Sequence, residues 1–165
     1  AALALAVAFG FGLSGLIIAR SAGLDAAGQF LALGGFTVLL GMVYLAIGFG
    51  ISVLAARVHP AISIALIVWV AATFLSDLGL MGTAIVLRLS PAQLLWCALG
   101  NPSQAFRIAS VQMLQGGLDL LGSSGAYAAS LLGHQVVLVV IALLVVWIGS
   151  VLGAAVIAFR RRGVL

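Results

Sequence analysis

Few side chains in this chain can do chemistry, and the most isolated of them is Asp77. It lies inside the apolar run from Ala61 to Leu87, where an unpaired charge costs about 3 kcal/mol on insertion scales. A carboxylate kept there is expected to be paired, protonated or turned to water, which makes Asp77 a transport candidate. The alternative is that it marks a break between two helical halves near Gly79 and Gly82, facing a polar interior without handling substrate. Soft ligands for copper amount to Met42, Met81, Met113, Cys97, His59 and His134, with no cluster in sequence. One cysteine and two histidines fall short of the roughly four ligands zinc needs. No metal site and no resident cofactor is therefore expected. No GxxxxGK[ST] phosphate loop occurs either, so ATP hydrolysis by that machinery would belong to another chain. The remaining nucleophile candidate is Ser14, in Gly12-Leu13-Ser14-Gly15, with His134 as its possible base.

The elements that would position these residues follow from composition. Of 165 residues, 65% are hydrophobic and 6% charged, against about 25% charged in soluble domains, and the mean hydropathy is +1.38. Lipid must be the solvent for most of the chain. Seven arginines and three aspartates, with neither lysine nor glutamate, give a net charge of +4. Scattered in this way the arginines form no nucleic-acid patch and read as topology markers.

The expected fold class is all-α, a polytopic transmembrane helix bundle in one domain, 1–165. Spans are expected at about 1–19, 30–56, 61–87 and 135–158, because these runs are continuous and lack the alternation of a barrel strand. Connectors at 20–29 and 57–60 would make the first three spans antiparallel neighbours, with Pro60 in the first turn of the third. The segment 88–134 contains Pro91, the Asn101-Pro102 turn signal, several glutamines and serines, and a Gly122-Ser123-Ser124-Gly125 loop. It is expected at a membrane surface, as an outward-facing interfacial helical segment. A helix over about 103–121 would set Phe106, Ala109 and Met113 on one side and Gln104, Gln112, Gln115 and Asp119 on the other.

Arg57 and the cluster Arg160-Arg161-Arg162 fall on one side of this arrangement, Arg20, Arg88 and Arg107 on the other. The positive-inside rule puts the first group and the C-terminus in the cytoplasm and segment 88–134 outside. The chain opens inside an apolar run without Met, which leads to the expectation that N-terminal sequence is lacking. Gly34, Gly41 and Gly48 recur seven apart on one face, and Gly149 and Gly153 form a GxxxG. These are candidate helix-packing positions, within the chain or across a dimer.

Two resemblances bear on function. Gly12-Leu13-Ser14-Gly15 resembles the serine motif of rhomboid intramembrane proteases. His134, however, begins the last span and is followed by Gln135-Val136-Val137-Leu138, without the glycines such a protease places after its histidine. The stronger resemblance runs from the second span onward. Phe74-Leu75-Ser76-Asp77-Leu78-Gly79-Leu80, then Leu99-Gly100-Asn101-Pro102-Ser103-Gln104-Ala105-Phe106-Arg107, and the ending Phe159-Arg160-Arg161-Arg162 resemble the NosY-type permeases. In that family an aspartate in a late span precedes an outward segment with an Asn-Pro-x-x-x-Phe-Arg pattern. Gly163 stands where the family ending often has an acid.

This resemblance implies a membrane permease subunit of an ABC transporter that supports copper-sulfur cluster assembly of nitrous oxide reductase, exporting a sulfur species to the periplasm. Another cargo for the same class of exporter is the alternative. It implies six spans per subunit, of which four are here, so that two N-terminal spans and the main ATPase-coupling loop would be lacking. It further implies a homodimer in the bacterial inner membrane, a separate cytoplasmic ATPase that binds ATP and Mg, and a periplasmic accessory protein. Asn101, Pro102, Phe106 and Arg107 would form the periplasmic cap motif, with Arg107 anchored to carbonyls or to an acid such as Asp119. Arg57, Arg160, Arg161 and Arg162 would be cytoplasmic anchors or ATPase contacts.

Overall fold

The computed structural model of the chain describes residues 2–55, 57–76, 78, 79, 82, 90–113 and 135–161. The elements among them are helical: α1 (Ala2–Ala22), α2 (Leu24–Leu54), α3 (Val58–Val70) continuing into a π turn at Ala71–Leu75, α4 (Pro91–Leu99), α5 (Pro102–Met113) and α6 (Val136–Arg161). Three of them, α1, α2 and α6, are long and apolar enough to cross a membrane. At 1.5 Å per residue the 26 residues of α6 extend about 39 Å, enough for a hydrocarbon layer of about 30 Å. The third expected span is represented by the shorter apolar helix Val58–Phe74. Most of its remainder, Asp77 included, lies outside the described residues.

The first connector is far shorter than its composition suggests. Between α1 and α2 only Gly23 is non-helical, at φ 94° and ψ 170°, a left-handed-side conformation that a residue without Cβ adopts at least cost. Ser21 folds its hydroxyl back onto the Ile17 carbonyl at 3.1 Å, and Asp25 sits in the first turn of α2, where a negative charge complements the helix dipole. The two helices then pack antiparallel, with Phe11 and Phe30 ring centroids 5.0 Å apart. At the second connector, Ala55 donates its N–H to Ile51 at 2.8 Å and Arg57 is extended. Pro60 is the third residue of α3, still in the first turn, where its missing N–H leaves no helical hydrogen bond unmade.

The core gathers around α2 and α6. Gly50 of α2 faces Val151 and Ala155 of α6, both toward the C-terminal ends of their helices. Phe36 and Val43 share one buried cluster with Val136, Val140 and Leu144. The two helices therefore run parallel, as the second and fourth spans of an up-and-down bundle must.

Residues 90–113 fill the space between them rather than lie across their ends. Leu95, Ala98 and Leu99 of α4, with Ala105, Ile108 and Ala109 of α5, belong to the same buried cluster. The expected faces of the segment are accordingly corrected. Gln104, placed on the polar side by sequence, is buried at 9% exposure beside Pro102, Ala105 and Ile108, and Arg107 is exposed. Small residues at Ala105 and Ala109 let the helix approach its neighbours, and that steric advantage outweighs the polarity that suggested a surface. The expected helix 103–121 is described as Pro102–Met113, and its distal half lies outside the described residues.

Candidate functional site

Among the described residues, the turn between α4 and α5 carries a dense set of polar bonds. Ser90 starts α4 with a capping box: its Oγ accepts the Gln93 N–H at 3.4 Å, while the Gln93 side chain accepts the Ser90 N–H at 2.9 Å. Pro91 occupies the first helical position, where its fixed φ suits the helix. At the tip, Gly100 donates to Trp96 at 3.0 Å, Asn101 to Ala98 at 3.1 Å and Ala105 to Asn101 at 2.9 Å. The Asn101 Oδ1 accepts the Ser103 N–H at 2.9 Å, and Pro102 has no N–H to satisfy. These bonds satisfy the turn's N–H groups locally, as a half-buried turn requires.

Two long-range bonds fix where the tip sits. Asn101 Nδ2 donates to the Ala72 carbonyl of the π turn at 2.7 Å, and Tyr44 and Ser103 share a hydrogen bond between their hydroxyls. Tyr44 lies ten residues before the end of α2 at Leu54, which is about 15 Å along the helix. The tip thus meets α2 well inside that helix rather than at its end. Asn101 and Pro102 do open α5 as the sequence suggested, but they do so inside the bundle. Phe106 packs half-buried against the core cluster.

The other sequence candidates scatter. Asp77, Arg162, Asp119 and His134 lie outside the described residues. Ser14 is half-buried in α1. A Cβ at Gly34 would come within 2.8 Å of the Phe11 ring, whereas at Gly48, Gly149 and Gly153 nothing lies within 4 Å. Gly41 is half-buried. Gly50, which sequence did not single out, contacts α6. Arg57 is exposed at the start of α3 and borders a cleft of about 320 Å³ whose wall includes Gly48, Ser52, Ala55 and Ala61. Arg160 and Arg161 are exposed in the last turn of α6. Among the described residues no three His, Cys, Asp or Glu side chains come together; Cys97 is a free thiol on an exposed face of α4.

Tyr44, Ala72 and Ser103 were not anticipated. A tyrosine in the middle of an apolar span was the available signal, since its hydroxyl must find a partner there. The partner itself, 59 residues away, left no trace in sequence.

Helices throughout the described residues, three of them apolar and of membrane length, with a polar hairpin tip half-buried against them, make this a polytopic membrane protein. No protein-family model matches it. It is homologous over nearly its whole length to NosY proteins: 33% identical over 170 residues to the "Probable ABC transporter permease protein NosY" of Pseudomonas aeruginosa and 32% over 169 to the protein of the same description from Stutzerimonas stutzeri. Each match takes in 97% of this chain and 59% of the relative. The chain thus spans about three fifths of the length of these curated relatives.

Proposed function

We propose that this chain forms part of the membrane permease of an ABC exporter. The observation that carries the reading is the 33% identity over 97% of the chain to an ABC transporter permease. The finer reading, from the Asp77 and Asn101 to Arg107 pattern, is a permease supporting copper-sulfur cluster assembly of nitrous oxide reductase by exporting a sulfur species. The permease works as a homodimer in the bacterial inner membrane with its C-terminus in the cytoplasm. A separate ATPase subunit binds and hydrolyses ATP with Mg, and a periplasmic accessory protein engages the outward side.

In this reading the chain does no covalent chemistry. Closure of the ATPases pushes on the α2–α3 turn, where Arg57 is exposed and Arg160 and Arg161 end the parallel helix α6. The push reaches the hairpin through Tyr44 and Ala72, which are hydrogen-bonded to its tip. Purification of the full-length protein from membranes, after co-expression with its neighbouring genes, should bring down a subunit with vanadate-sensitive ATPase activity. Recovery of the permease alone in mild detergent would sink the assignment. Asp77→Asn should leave that assembly intact and lower transport-coupled ATPase activity, and unchanged activity would reduce Asp77 to a structural role. Arg107→Ala should lower the yield of the complex; a normal yield with altered transport would contradict its anchoring role.

A further inference from the structure

Small residues on facing membrane helices ordinarily let the two backbones close up, but the last turns of α2 and the first turns of α3 leave a gap. Gly48, Ser52 and Ala55 line it from α2, and Ala61 and Ala65, four apart on one face, line it from α3. A Cβ on Gly48 would meet nothing within 4 Å. The result is a cleft of about 320 Å³ whose wall is apolar except for the side chains of Ser52 and Arg57.

The parallel helix α6 fixes the level of this cleft along the bundle. Gly50 of α2 faces Val151 and Ala155 of α6. Arg57 comes seven residues after Gly50, and Arg160 and Arg161 come five and six after Ala155. The three arginines therefore stand at nearly one level, the level at which long cationic side chains reach lipid headgroups. From Val58 to Ala65 the cleft runs about 10 Å along α3, away from that level and into the apolar layer. The carboxylate among the described residues, Asp25, begins α2 at its opposite end, so the mouth of the cleft is cationic.

We propose that this cleft binds one anionic phospholipid, with its phosphate at Arg57 and one acyl chain laid along Gly48, Ala61 and Ala65. Charge complementarity selects the occupant. A guanidinium at the mouth and a hydrocarbon-lined floor match a molecule with an anionic head and an apolar tail, and guanidinium is the side chain best suited to phosphate oxygens. A soluble anion leaves the apolar wall empty, and a zwitterionic lipid brings its own cation toward Arg57. Ser52, between the two ends, offers a hydroxyl at the height of the ester linkage. The lipid braces α3 against α2 beneath their connecting turn. The site rests on the placement of these helices in a membrane and not on what the permease carries.

The test is native mass spectrometry of the full-length protein in detergent, titrated with phosphatidylglycerol and phosphatidylcholine of identical acyl chains. The expected result is one phosphatidylglycerol retained in preference to phosphatidylcholine. Arg57→Gln should lower that retention about tenfold, the scale of one charge-assisted contact. Arg160→Gln removes the same charge outside the cleft wall and should leave retention within about twofold. Gly48→Leu fills the cleft and should weaken retention as well, with Ala65→Leu filling it from the other wall if the first variant does not fold. Equal losses from Arg57→Gln and Arg160→Gln would reduce the effect to diffuse attraction and overturn the site, as would unchanged retention in the filled variants. Displacement of the lipid by glycerol phosphate would show that a headgroup anion suffices, and would overturn the choice of a lipid. A measurement without variants uses the protein in vesicles of the two lipids. Spin-labelled phosphatidylglycerol should show a larger immobilised fraction than spin-labelled phosphatidylcholine, and equal fractions would overturn the proposal.

Discussion

At the scale of single residues, the two kinds of glycine in this bundle predict opposite outcomes. Gly34→Ala places a methyl group 2.8 Å from two atoms of the Phe11 ring and 3.0 Å from its Cβ, so a whole side chain must move. Overpacking of this kind costs about 1–3 kcal/mol, to be read as a lower thermal midpoint in a single detergent. Gly149→Ala and Gly153→Ala meet nothing within 4 Å and should be neutral or slightly stabilising for the protomer, because alanine exceeds glycine in helix propensity by about 1 kcal/mol. If those glycines contact a second copy, the same variants will weaken the dimer in native mass spectrometry while leaving the midpoint unchanged. Tyr44→Phe removes the hydroxyl bonded to Ser103 and should cost about 1 kcal/mol, the usual worth of one hydrogen bond between membrane helices.

At the scale of elements, the hairpin α4–α5 depends on how its two helices begin. Ser90→Ala removes the capping oxygen from the Gln93 N–H and should cost about 1 kcal/mol, measured as faster hydrogen exchange confined to the first turn of α4. That helix is legible in sequence, since Ser90-Pro91-x-Gln93 is a capping box with proline at the first helical position; the polar residues around it point instead to a surface segment. The long spans were legible for a simpler reason: apolar runs such as 30–56 and 135–158 exceed what a layer of hydrocarbon requires. The seat of the hairpin against α2 and the third span was not, because it is set by partners 29 and 59 residues away. Nor was the orientation of α5, where Gln104 turns inward against its own polarity. The π turn likewise carries no local signature in Ala71-Ala72-Thr73-Phe74-Leu75.

At the scale of the whole molecule, the parallel course of α2 and α6 ties together two groups of arginines that are about a hundred residues apart in sequence. Arg57 follows the end of α2, and Arg160 and Arg161 end α6, so both groups emerge at the same face. Cysteines introduced by His59→Cys and Arg160→Cys should therefore react together with a membrane-impermeant maleimide, in inverted vesicles and not in intact spheroplasts under the proposed topology. Labelling from opposite faces would contradict the parallel arrangement, and joint labelling from the outside would reverse the topology. The arrangement also bears on the proposed exporter. The exposed α2–α3 turn offers the cytoplasmic ATPase one contact, and the tip of the hairpin touches both α2 and the third span, so a force applied at that turn has a packed route toward the outer half.

The turn at Gly23 carries a consequence for how the protein is made. With one residue between α1 and α2, the two helices reach the insertion machinery as one stretch of about fifty residues. They are expected to enter the bilayer as a pair, with Phe11 against Phe30 and Arg20 and Asp25 on either side of the bend. A mutation that opened this bend would be felt first as a defect in biogenesis, before any loss of transport.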